Sequence, residues 1–283
     1  MKIVKTIINT IIAIIITVTV LLFLLINLAT STILSKNYVL AKLDGASYYT
    51  KIYDKTKSNF EKYIQQSGLE EDVFEGIVSK EKVEKDIKSV ISNIYDGIEE
   101  KIDTQEIKDN LNQKIEQAVG KKVMQSQKKD IDTLVEDICK EYTTSISHYN
   151  VEKDINNYLT KIMKYIDIAK KAVLVAIAIC IIILLVVNGR RIYKTVTYLG
   201  VSVMSTGIFC LVTNIFINTK VKVQTILILN EETSFVIRNI LQELLDKIKS
   251  YGYIMAVVGL LLIIISNLIH NIFKYGKSTY EKE

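Results

Sequence analysis

Hydrophobic positions in this chain follow two patterns. In the first, charge disappears for long stretches: 30 residues between Lys5 and Lys36, 18 between Lys171 and Arg190, 25 between Lys194 and Lys220, and 24 between Lys249 and Lys274. About 20 apolar residues carry a helix across a hydrocarbon core about 30 Å thick, so these runs predict four transmembrane helices. The second run is the shortest. Lys170 and Lys171 can lay their stems along it while their ammonium groups reach the interface.

In the second pattern apolar residues return every three or four positions among charged ones, which predicts amphipathic helices. One stripe joins Tyr49, Ile52, Tyr53, Thr56, Phe60, Tyr63 and Ile64 and stops at Ser67-Gly68. A short helix with Leu69, Val73 and Ile77 follows. Ser79 then caps a helix whose apolar face is Val83, Ile87, Val90, Ile91, Ile94 and Ile98. Asp103 and Glu106 have capping-box spacing ahead of Ile107, Leu111, Ile115 and Val119, with Gly120 as the stop. After the basic group Lys121, Lys122, Lys128 and Lys129, a further stripe runs through Ile131, Leu134, Val135, Ile138 and Tyr142. The last one, with Val151, Ile155, Tyr158, Leu159 and Ile162, meets no breaker before Lys170. The pentapeptide Val83-Glu84-Lys85-Asp86-Ile87 recurs as Val151-Glu152-Lys153-Asp154-Ile155, with Ser79 and Ser147 four residues ahead. Two copies in a chain rich in Lys, Asp, Glu and Ile fall short of a repeat array.

The expected fold is therefore all-α: an integral membrane protein with four transmembrane helices and an extracytoplasmic helical-bundle domain. Its expected divisions are an N-terminal transmembrane helix over 1–35, the bundle over 36–170, a second span over 171–189, a cytoplasmic turn over 190–194, and a third span over 195–217. An extracytoplasmic segment with an amphipathic helix, 218–250, precedes the fourth span, 251–273, and a cytoplasmic tail, 274–283. The helix in 218–250 carries Phe235, Ile237, Ile240, Leu241, Leu244, Leu245 and Ile248, with Thr233 or Ser234 as its cap. The chain has no proline and 11 glycines, so nothing obliges these helices to break. The first run has a basic start and a small-residue stretch, Ala29-Thr30-Ser31. It is about twice the length of a signal-peptide core, which favours an uncleaved anchor.

Charge sets the orientation. Lys2 and Lys5 precede the first span, Arg190, Arg191 and Lys194 lie between the second and third, and Lys274 and Lys277 follow the fourth. The positive-inside rule puts all of them, and both termini, in the cytoplasm. Over 36–170 there are 22 Lys against 25 Asp and Glu, a net of −3, so the whole-chain excess of +5 belongs to the membrane flanks. It gives no sign of a nucleic-acid partner. Lys-, Ile- and Asn-rich usage without Trp or Pro suits a low-GC bacterium and its cell membrane.

Candidate chemistry is sparse. Cys139, Cys180 and Cys210 do not pair across the outer segment, and His148 and His270 lack metal-ligand spacing. Ser266 and His270 stand four apart on the fourth span, but without an oxyanion partner they read as a polar patch. No phosphate loop, nucleophile elbow or zinc motif is present, and no cofactor or enzymatic activity is expected. The spans contain no Asp, Glu, Lys or Arg of the kind ion-coupled carriers use. Asn27 and Asn214 are candidates for packing or for lining a pore, and Gly200 and Gly207 for close helix approach. The expected partners are the lipid bilayer and a membrane or envelope protein, or further copies of the chain. The expected function is an interaction, sensing or accessory-subunit module, with an oligomeric channel or permeation protein as the alternative and an intramembrane or envelope hydrolase as a third class.

Overall fold

The computed structural model describes residues 2–147, 149–227 and 231–280, without the side chains of residues 2, 64–66, 149–157 and 273–280. Expectations about His148, Ile228 and Leu229, and about the side chains of Lys2, Ile64, Lys274, Lys277 and Val151–Ile155, lie outside the described residues. Every regular element described is helical. In chain order they are α1 (Lys2–Ser31), α2 (Lys36–Gly45), α3 (Tyr48–Ser67), α4 (Lys80–Asp96), α5 (Gln105–Val119), α6 (Lys121–Ser126), α7 (Lys128–Ile146), α8 (Tyr149–Asn188), α9 (Ile192–Lys220) and α10 (Glu231–Tyr280). Short 3-10 turns lie at Glu71–Val73 and Val223–Thr225.

The chain forms two compact units. The first comprises Met1–Ile33, Lys164–Ile226 and Ile237–Glu283, and the second Leu34–Met163 with Leu227–Val236. The first unit holds the four helices long and apolar enough to cross a membrane: Ile3–Ser31, Tyr158–Asn188, Ile192–Lys220 and Glu231–Ile272. Their outer faces are lined by exposed Ile, Leu, Val and Phe, such as Ile14, Val186, Phe209, Phe216, Leu261 and Leu268. Bare apolar surface on this scale needs lipid or protein to cover it.

The second unit is a bundle. Here α3 packs on α4 and α7, α5 packs on α7, and α2 lies against α3 and α4. Val83, Ile107, Leu111, Ile115, Ile138 and Tyr142 are fully enclosed, with Ile52, Phe60, Ile87 and Val135 around them. These are the stripes the periodicity predicts, because a face of i, i+3 and i+4 apolar positions is stable only against another such face. Ser79 accepts a hydrogen bond from the Lys82 amide at 3.1 Å and starts α4, and Gly68, Gly97 and Gly120 take the positive φ angles that end α3, α4 and α5.

Several expected details differ. The helix foreseen around Leu69, Val73 and Ile77 is only the 3-10 turn, because Gly76 turns at φ 68°, and Lys114 of α5 donates to the carbonyls of Asp72 and Glu75. The Asp103–Glu106 capping box does not form. Asp103 accepts from the Gln105 amide at 2.9 Å, and Glu106 instead lies 3.6 Å from Lys82. Ile98 falls beyond Gly97 and is exposed. The segment 218–250 and the fourth span are not separate helices, since α10 runs from Glu231 without a break. Gly252 lies inside it, where a Cβ would meet the Leu211 side chain of α9 at 2.9 Å.

Candidate functional site

The most polar ground in the first unit lies between its helices. The buried residues of α9 are Thr195, Gly200, Ser202, Thr206, Gly207, Cys210 and Asn214, all small or polar, while Ile208, Phe209, Val212, Ile215 and Phe216 face outward. This reverses the amphipathicity of a helix in water. In lipid a large apolar side chain gains nothing by turning inward, whereas small residues let backbones approach and hydroxyls find partners.

On one side of α9 stands α1. Ser202 Oγ donates to the Ala13 carbonyl at 2.9 Å, and Thr206 Oγ1 lies 3.2 Å from the Thr17 carbonyl. Residue numbers rise together along this pair, so α1 and α9 are parallel. On the other side stands α10, and there numbering runs oppositely. A Cβ built on Gly200 would lie 2.9 Å from the Gly259 carbonyl oxygen, and one on Gly207 only 2.6 Å from that of Gly252. The two glycine pairs, each seven apart, thus form one antiparallel seam. Further along it Asn214 Nδ2 donates to the Leu245 carbonyl at 2.7 Å and Oδ1 accepts from Asn218 at 3.2 Å.

Polar contacts also close one end of this unit. Asn9 Nδ2 donates to Asn188 Oδ1 at 2.9 Å, and Asn188 reaches the Leu184 carbonyl at 2.9 Å. Thr195 Oγ1 lies 3.2 Å from the same carbonyl, and Lys5 Nζ donates to the Val187 carbonyl at 3.2 Å. Below them Ile12, Ile16, Cys180 and Leu184 pack as one cluster. Ser266 and Thr197 share a hydrogen bond of 2.7 Å at that end, and Ser266 also reaches the Tyr193 carbonyl. His270 is tilted over the Tyr193 ring, centroids 4.4 Å apart. The Ser266 hydroxyl is thus occupied by α9. Arg190 and Arg191 are exposed in the α8–α9 turn, beside half-buried Lys194. The Asn27 side chain donates back to the Phe23 carbonyl of its own helix, at 2.8 Å.

Three features stand out in the second unit. Fully buried Tyr142 donates to Asp86 Oδ2 at 2.6 Å, and Lys82 lies 3.3 Å from the same oxygen. Burial, the hydrogen bond to Asp86 and the nearby Asp86 and Glu106 charges hold the Tyr142 phenol well above its usual range. Second, α3 grips the first turn of α10. Tyr48 and Thr233 share a hydrogen bond of 3.2 Å, Lys55 pairs with Glu232 at 3.3 Å, and Lys51 Nζ sits 4.2 Å from the Phe235 ring centre. Third, a cleft of about 450 Å³ opens between α3, α5 and α7, lined by apolar Ile115, Ile131 and Leu134 and by Tyr63, Asp130 and Asp137. The mixed charge of the helix that follows Glu232 favours packing against protein, but the partners in the grip carry no shared motif and lie 177 or more positions apart. The cleft left one trace, the i, i+4, i+7 alternation of Asp130, Leu134 and Asp137.

Among the described residues no group of three or more His, Cys, Asp or Glu side chains is placed to hold a metal ion. The architecture defines a class: an all-helical protein with four helices able to cross a membrane and a separate helical bundle. Set against protein-family models, curated proteins and solved structures, the chain matches none of them.

Proposed function

We propose that this is a multi-pass protein of a bacterial cell membrane whose extracytoplasmic bundle serves as a sensing or interaction module for a membrane or envelope partner, without catalysis of its own. The positive flanks at Lys5, Arg190, Arg191 and Lys194 favour the cytoplasm for the closed end of the first unit. The observation that carries the reading is the double engagement of α10. Its first turn is gripped by α3 in the bundle, and from Leu245 to Ser266 it is seamed to α9. A helix held firmly at two places, with no proline between them, transmits a displacement that a flexible joint would absorb. Asn214, spent on a backbone carbonyl, supports packing over a water-filled path.

The test is hydrogen–deuterium exchange on the full protein in lipid nanodiscs. Replacing Glu232 and Thr233 by Ala releases the grip, and exchange is expected to rise in 245–266 as well as in the bundle. A rise confined to the bundle and 231–236 would remove the transmission reading. Ion or solute flux in liposomes that Asn214→Leu abolishes would replace the whole proposal with a channel.

A further inference from the structure

The cleft between α3, α5 and α7 has an apolar floor and an acidic wall. Ile115 is fully buried beneath it, Ile131 nearly so, and Leu134 half-buried. Asp130, Leu134 and Asp137 follow at i, i+4 and i+7 on α7, so the two carboxylates flank an apolar side chain on one face. Neither carboxylate has an ion-pair partner among the described residues. An adjoining hollow shares Tyr63 and continues the stripe to Glu141, which Asn59 fixes at 2.7 Å. Tyr63 adds an aromatic face on the α3 side. Its phenol is held above its usual range by burial first and then by the Glu141 and Asp137 charges.

We infer that this cleft binds a small organic cation with an apolar body, an amine or quaternary ammonium. Its volume lies in the range of small-molecule sites, about 300–1,000 Å³. Seven residues of helix separate the two aspartates by roughly 10 Å along the axis, too far for one metal ion to take both. An elongated ligand bridges that distance, setting its charge against a carboxylate and the Tyr63 ring and its carbon skeleton on Leu134 and Ile115. The inference rests on the sensing reading and names the chemistry sensed. Tyr63 belongs to α3, the same helix whose other end grips α10.

The test uses the full chain in nanodiscs of zwitterionic phosphatidylcholine, with benzyltrimethylammonium as probe, benzyl alcohol as its uncharged counterpart and empty nanodiscs as blank. Calorimetric titration is expected to show saturable binding of the cation, at least about tenfold tighter than the alcohol. The D130N/D137N pair should lose at least about tenfold, and Thr133→Trp, at the exposed rim, should fill the cleft and abolish binding without lowering helicity. No saturable binding to the unaltered protein, or equal affinity for the two probes, would overturn the inference, and that comparison depends on no variant. Binding that leaves exchange in 245–266 unchanged would uphold the cleft and sink the transmission reading. Absent binding, with the Glu232/Thr233 effect intact, would do the reverse.

Discussion

At the scale of single residues, stability in the bundle depends on how completely each side chain is enclosed. Leu111 is fully buried on α5, whereas Ile94, on the same kind of stripe in α4, is only half-buried. Leu111→Ala should cost about 2–5 kcal/mol, by lost transfer energy and the cavity left behind. Ile94→Ala should cost clearly less. Urea unfolding followed by circular dichroism checks the order, and equal losses would contradict the burial pattern. Tyr142 adds a pH dependence. A phenol in the unfolded chain ionises near pH ~10, while the folded one, buried and bonded to Asp86, resists ionisation to higher pH. Between those values the unfolded state binds fewer protons than the folded one, so stability falls as pH rises. The contribution is intact below pH ~10 and is lost above it. Thermal melts from about pH 8 to 11 should fall more steeply for the unaltered protein than for Tyr142→Phe, with Tyr48, Tyr49, Tyr63 and Tyr95 carrying the remainder of the slope.

Among elements, α9 decides how the first unit packs, and its glycines are not equivalent. A Cβ on Gly207 would meet the backbone of Ala256 and the Gly252 carbonyl, which move only if the helices part. A Cβ on Gly252 would first meet the Leu211 side chain at 2.9 and 3.0 Å, which can change rotamer. Gly207→Ala should therefore destabilise by about 1–3 kcal/mol as an overpacking change, and Gly252→Ala by much less. Thermal melts of the detergent-solubilised protein give the ranking, and the reverse order would refute the seam. The elements that were legible in sequence are the ones that bury a continuous stripe, α3, α4, α5 and α7, and the four apolar runs. Those that were not legible bury little of themselves. Leu43 is the one buried residue of α2, and α6 has none, so neither leaves a periodic trace. The failed capping box has a local cause. A short Asp side chain can be captured two residues on, at Gln105, before it reaches the third amide. Gly200, Gly207 and Asn214 were visible as candidates by residue type, but their partners Gly259, Gly252 and Leu245 follow from the antiparallel register, which no local pattern encodes.

For the whole molecule, the proposed orientation makes a direct prediction. Cys139, Cys180 and Cys210 are all buried, so single cysteines placed elsewhere report alone. Cysteines at Lys85 or Asn110 should react with an impermeant thiol reagent on intact cells, and ones at Gly189 or Lys277 should react only after lysis. Labelling of position 189 from outside would invert or break the four-span topology. The reversed faces of α9 also govern how the protein is made. The carbonyls of α1 that receive Ser202 and Thr206 are synthesised 189 residues before those hydroxyls. At about 5–20 residues per second, α1 precedes its parallel partner by roughly 10–40 s. Of the four candidate spans α9 is the least hydrophobic, and one side of it is a groove of hydroxyls and bare backbone. If the chain inserts as it is made, the polar face of α9 meets an α1 that is already in place. Damage to either face of that pair would surface first in the cell's quality control, as chains degraded before they are ever assembled.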